Sequence, residues 1–137
     1  MRRELEDLVR QRAGNRCEYC LCPDAYSAFT FHIDHIVPEL FGGVTEESNL
    51  AYSCGCNHFK ATAVEAADPL TDNVVPLFHP RYDRWGDHFE WSEGGLEIHG
   101  KTTTGRATVD KLQLNRQGLI GLRILMAAHG EHPPSSM

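Results

Sequence analysis

Apolar residues recur along this chain in two rhythms, and the change from one to the other marks where helices give way to strands. From residue 3 to 13, Leu5, Leu8, Val9 and Ala13 fall at i, i+3, i+4 and i+8, one face of a helix that Gly14-Asn15 stops. After the loop Cys22-Pro23-Asp24, the run Phe29 to Val37 alternates Phe29, Phe31 and Ile33 against Thr30, His32 and Asp34. That pattern predicts a short strand with one buried face, ending at Pro38. Gly42-Gly43 predicts a turn, Thr45 to Asn49 a polar connection, and Cys56 to Ala67 a helix that ends before Asp68-Pro69. Farther on, Val74 to Phe78 is apolar and extended, Gly94-Gly95 before Leu96-Glu97-Ile98 predicts a hairpin, and Thr104 to Leu114 and Asn115 to Ala128 predict two helices. Leu119, Leu122 and Met126 form the apolar stripe of the last helix, with Asn115 placed to cap it and Gly130 and Pro133-Pro134 to end it. The tail after Gly130 is expected to be disordered.

Composition narrows the class. A chain of 137 residues, 41% hydrophobic and 9% aromatic, fits one compact domain with a small core. No apolar run approaches the roughly 18 residues of a membrane span, and Met1-Arg2-Arg3-Glu4 leads into an amphipathic pattern instead of an apolar leader. A reducing, cytoplasmic setting with no membrane partner is therefore expected. There, five cysteines, all between Cys17 and Cys56, point to metal ligation over disulfides, and the odd count argues the same way. The formal charge of -6 opposes strong binding to a polyanion. Arg2, Arg3, Arg10, Arg12 and Arg16 concentrate positive charge at the front, and bound cations would offset acidic groups, so weak, salt-sensitive contact with phosphates is expected. In a helix with acidic residues early and basic residues late, part of that cluster serves the helix dipole.

The chemistry gathers in the same window. Cys17 and Cys20 are spaced to hold one tetrahedral ion, and Cys54 with Cys56 would complete a closed, structural four-sulfur zinc site. Unpaired buried thiols or a redox pair are the alternatives. The second pair is C-x-C, tighter than C-x-x-C, so Cys22 is a substitute ligand. His35 is the candidate general base, its imidazole titrating near neutrality. Asp34 offers a hard carboxylate oxygen and Asn57 an amide oxygen, the donors that magnesium or manganese takes. Strict alternation would send Asp34 and His35 to opposite faces, so joint use requires a twist, a bulge or a strand end there. His32 is a further ligand or a surface histidine, and Lys60 a phosphate contact or a solvated helix lysine. His79, His88 and Arg84 are assigned to packing and hydrogen bonding, with Arg84 a minor DNA contact.

The segment from Arg16 to about Ala61 resembles the HNH endonucleases. The resemblance rests on Cys17-x-Tyr19-Cys20, on Ile33-Asp34-His35-Ile36 followed by Pro38, on Gly42-Gly43 and Asn49-Leu50, and on Cys56-Asn57-x-x-Lys60. Leu77 to Trp85 and Gly105-Arg106-Ala107-Thr108 also look like the C-terminal extension of one bacterial, zinc-stapled subgroup. The resemblance implies a ββα-metal fold in which Asp34 and Asn57 hold one catalytic divalent metal, His35 activates water, and Asn49 bonds across the loop to fix the His35 backbone. Where the family has C-x-x-C-N, this chain is one residue shorter. Counting back from Lys60 selects Asn57 as the ligand; counting forward from Cys54 selects His58, about 100° further round the helix.

The resulting expectation is a single α+β domain. Residues 1–68 hold the N-terminal helix and nuclease core, 69–130 a packed extension of a hairpin and two helices, and 131–137 a tail. The expected work is hydrolysis of DNA phosphodiesters, in duplex, nicked or branched form, leaving 5′-phosphate and 3′-hydroxyl ends. It would use structural Zn2+ and catalytic Mg2+ or Mn2+. The alternative is a non-catalytic, zinc-stapled module that binds nucleic acid or protein; a purely structural zinc protein is the third reading.

Overall fold

A computed structural model describes residues 1–134 of the chain. Its elements run α1 (Arg3–Arg12), β1 (His32–His35), β2 (Leu50–Ser53), α2 (Cys56–Lys60), β3 (Glu65–Ala67), β4 (Val74–Pro76), α3 (Trp85–His88), β5 (Phe89–Trp91), β6 (Ile98–Gly100), α4 (Thr103–Lys111) and α5 (Gln117–Ala128), with short 3-10 turns between some of them. The strands form three antiparallel pairs, β1 with β2, β3 with β4 and β5 with β6. This is the expected α+β class. The sequence β1–β2–α2 forms the ββα unit, followed by two antiparallel pairs where one hairpin was expected, the short α3 and two longer helices.

Helix α1 turns Val9 fully inward, and Gly14 and Asn15 end it at φ 64° and 60°. Near its end, Arg12 donates to the carbonyls of Glu47 and Leu50, each at 2.8 Å, which ties α1 to the start of β2. In the β1–β2 register, Ile33 faces Tyr52, Asp34 faces Ala51 and His35 faces Leu50. The strand is shorter than its alternation predicts: Ser27 closes a turn on Phe29, whose ring is 83% exposed, and pairing begins only at His32. In the loop that follows, Gly42 takes φ 87°, and a Cβ on Gly43 would run into the Val37 carbonyl, so this turn requires its glycines.

The helix expected from Cys56 to Ala67 stops at Lys60. Ala61 sits at φ 50°, and Glu65–Ala67 instead pairs with Val74–Pro76. Long-range pairing overrides the local helical preference of that alanine-rich stretch. Asn115 is not the cap of α5; Arg116 is, without a side-chain bond. The Asn115 amide instead clamps Ile98, accepting from its N–H at 2.7 Å and donating to its carbonyl at 2.9 Å. Along α5, Leu119 and Met126 are buried and Leu122 packs partly against the core. Of the tail, His132 stacks edge-on against Trp91 and bonds the Gly95 carbonyl, whereas residues 135–137 lie outside the described part of the chain.

One continuous buried cluster joins Val9, Phe31, Leu50 and Tyr52 to Phe78, Phe89, Ile98, Leu112 and Leu114, and includes all five cysteines. Among the described residues, no helix is long and apolar enough to cross a membrane. The β3–β4 turn is locked to α4 by Asp68, which receives Leu70 N–H and the Thr71 hydroxyl and takes a two-pronged bond from Arg106, both prongs at 2.9 Å. The Arg106 bonds hold the Asp68 carboxyl well below the usual carboxylate range. A depressed native pKa stabilises the fold above the unfolded value near about 4, and this is lost as pH falls through the native value. Asp68→Asn is therefore expected to lower the melting temperature at pH 7, and the gap from wild type should narrow as pH is taken below about 4; thermal melts of both proteins at each pH check this.

Candidate metal centres

Two clusters of polar donors lie within the ββα unit. The first is built by chain reversal at two places. Cys17 and Cys20 flank a tight turn in which the Leu21 N–H reaches back to the Cys17 carbonyl, with Leu21 at φ 65°. Cys54 and Cys56 bracket Gly55 at the step from β2 into α2. The four sulfurs lie within 4.8 Å of one another and are buried. Cys20 Sγ is 3.5 Å from Cys54 Sγ, and Cys54 Sγ is 3.5 Å from Cys56 Sγ. Tetrahedral zinc with bonds of about 2.3 Å requires sulfur separations near about 3.8 Å, so this donor set fits zinc, and the shortened C-x-C pair reaches the cluster without strain. Cys22 stays outside it, its thiol directed at the Pro23 carbonyl.

The electrostatics of the cluster call for positive charge. Burial pushes the Cys17 thiol up, while hydrogen bonds from Cys17, Cys20 and Cys56 pull Cys54 down. Arg116, sixty residues away in sequence, donates to Cys56 Sγ at 3.5 Å and to Cys54 Sγ at 3.4 Å. Burial alone would lower its pKa, but the two sulfurs hold it above its ordinary value. A zinc ion with four thiolates carries a net charge of about -2, part of which this guanidinium offsets.

The second cluster centres on Asp34, which is 9% exposed. Its Oδ2 accepts from the Tyr19 hydroxyl at 2.8 Å and lies 3.3 Å from Lys60 Nζ; Oδ1 receives no bond from the described residues. Burial first, and then the Asp34 charge, push the Tyr19 pKa well up, so its hydroxyl keeps the proton it donates. Lys60 is only 1% exposed and also donates to the Ile36 carbonyl at 3.0 Å. It is thus neither the solvated lysine nor the phosphate contact expected from sequence; it pins α2 to β1. One turn before Lys60 on the same helix face, Asn57 Oδ1 is buried without a hydrogen-bond partner. A buried amide oxygen left unpaired costs free energy that a polar or cationic partner would repay, and carboxylate and amide oxygens are the donor types a hard divalent ion takes.

The remaining expected residues are placed as follows. His35 directs Nε2 at the Thr45 hydroxyl, 2.9 Å away, with a Glu39 carboxylate oxygen at 3.7 Å. Asn49 is 7% exposed and bonds both the N–H and the carbonyl of Val37, each at 2.9 Å, and the Val44 carbonyl at 3.0 Å. It therefore closes the loop two residues beyond His35, not at His35 itself. His32 and His58 are exposed, meet edge-on at 6.0 Å, and line a mainly apolar cavity of about 660 Å³ with Phe29, Phe31, Leu119 and Leu122. That wall contains neither Asp34 nor Asn57. His79 and His88 are held by intramolecular bonds, His88 to Thr102 at 2.6 Å, and Arg84 is exposed. Tyr19 and Arg116 were not legible as site residues; the tyrosine inside the first cysteine pair was the only local signal.

If the four sulfurs hold zinc, the purified chain should contain one zinc ion, and Cys17→Ser or Cys56→Ser should lose both zinc and the cooperative melt. Structural zinc contributes on the order of 10 kcal/mol, comparable to the whole stability of a small domain. Arg116→Met should retain the ion but bind it about tenfold more weakly in a chelator competition.

Comparison with known proteins adds one match. No curated protein and no solved structure matches the chain, but the family model described as HNH endonuclease matches residues 17–61. That span opens at the first cysteine of the sulfur cluster, ends one residue past Lys60 and includes Asp34, His35, Asn49 and Asn57; over this third of its length the chain is similar to HNH endonucleases.

Proposed function

We propose that the chain is a metal-dependent endonuclease that hydrolyses DNA phosphodiester bonds. The observation that carries this reading is the unpaired, buried Oδ1 of Asn57, one helical turn from the lysine that holds Asp34. A binding module has no need of two hard oxygen donors kept free in a buried place. Asp34 and Asn57 would hold one Mg2+ or Mn2+, which when bound supplies a Lewis acid for the charge that builds on the phosphate and leaving oxygens. His35 serves as general base: in the tautomer that donates from Nε2 to Thr45 Oγ1, Nδ1 carries the lone pair that removes a proton from the attacking water. Asn49 keeps the Val37–Val44 loop closed around that imidazole. Arg12 is engaged with backbone carbonyls and Arg16 with the Leu21 carbonyl, so Arg2, Arg3, Arg84 and Lys111, all exposed, are the candidates to meet phosphates. With few such contacts and a charge of -6, binding to DNA is weak and salt-sensitive.

Nicking of supercoiled plasmid tests this directly. Wild type is expected to nick with Mg2+ or Mn2+ and to stop on addition of a chelator selective for those ions. His35→Ala should lower the rate at least about 100-fold, the scale of a lost general base, without changing zinc content. Absence of nicking with every divalent ion, in a zinc-loaded and folded protein, would favour the non-catalytic binding module.

A further inference from the structure

We propose that Tyr19 is a positioning residue through which the sulfur cluster orients the metal-binding carboxylate Asp34. The inference rests on the reading of Asp34 as a metal ligand. Tyr19 lies between Cys17 and Cys20, so its backbone is fixed by the same turn that presents those two sulfurs. Its side chain is 1% exposed, and its hydroxyl donates to Asp34 Oδ2 at 2.8 Å. Its backbone carbonyl is held in turn by Trp85 Nε1 at 3.0 Å. The neighbouring Glu18 is bonded to β2 through the Tyr52 N–H at 2.8 Å and paired with Arg81. The second cysteine pair reaches the same carboxylate: Lys60, four residues beyond Cys56, contacts Oδ2 at 3.3 Å and donates to the Ile36 carbonyl, just past β1, at 3.0 Å. Both halves of the sulfur cluster therefore converge on one carboxylate oxygen and leave the other, Oδ1, without a hydrogen bond from the described residues. A carboxylate fixed in this way offers a single oxygen in a set direction, and the free-energy cost of ordering it is met before the ion arrives.

The test uses the full-length, zinc-loaded chain and follows Mn2+ binding by electron paramagnetic resonance, alongside zinc content and thermal melts. Tyr19→Phe keeps the ring and removes only the bond to Asp34. It is expected to retain one zinc ion and to weaken Mn2+ binding about tenfold. Tyr52→Phe is the control, since it deletes another tyrosine hydroxyl, bonded to Asp24 at 2.7 Å, away from this carboxylate. It should leave Mn2+ affinity at the wild-type value. Unchanged Mn2+ affinity in Tyr19→Phe, or an equal loss in Tyr52→Phe, overturns the positioning role. So does loss of zinc from Tyr19→Phe, which would make the hydroxyl a structural element of the cluster. Asp34→Ala separates this inference from the reading beneath it: Mn2+ binding that survives Asp34→Ala removes Asp34 as a ligand altogether, whereas the outcomes for Tyr19 leave that assignment standing.

Discussion

Four buried sulfurs drawn from two places in the chain form the constraint around which this fold is arranged. Cys20 and Cys54 are 34 residues apart in sequence, yet their sulfurs touch. Once ionised, thiols at that separation in a low-dielectric interior repel one another, so the cluster is suited to a cation such as zinc, with Arg116 beside it offsetting part of the sulfur charge. Once the cluster is fixed, the entry to α2, the end of β2 and the turn carrying Tyr19 have little freedom left. The polar contacts around Asp34 follow from those three positions.

How much of this was readable from the sequence depended on the range of the interaction. The sulfur set and the Gly42-Gly43 turn were legible because each is written within a few consecutive residues. The span of α2 was misread because Ala61, Ala63, Ala66 and Ala67 favour helix locally, while the partner that makes Glu65–Ala67 a strand lies at Val74–Pro76. Lys60 was misread for a similar reason. A helix lysine is ordinarily solvated, and only the fold reveals that β1 supplies a carboxylate and a carbonyl to a buried one. Asn115 looked like a cap because it precedes a helix, but the backbone of Ile98, seventeen residues earlier, takes both ends of its amide. Arg116 carried no local signal at all.

The charge balance also reads differently once side chains are placed. The sequence concentrates arginines at the front, which suggests a phosphate-facing surface. In the fold, Arg12 and Arg16 are spent on backbone carbonyls, Arg10 pairs with Asp7, and Arg81, Arg106 and Arg123 serve the interior. Much of the positive charge in this chain holds loops and sulfurs in place, which leaves little for long-range attraction of a polyanion.

The path from Trp85 to the Tyr19 carbonyl and from Arg116 to two of the sulfurs has a consequence for evolution and engineering. The stretch matched to the HNH family relies on donors from outside it. Transplanted alone, it would leave a tyrosine carbonyl without its donor and a thiolate cluster without its guanidinium. Recombination that preserved the motif but exchanged the following seventy or so residues would have to reinvent both partners, which ties the inheritance of the metal-binding half to that of the extension.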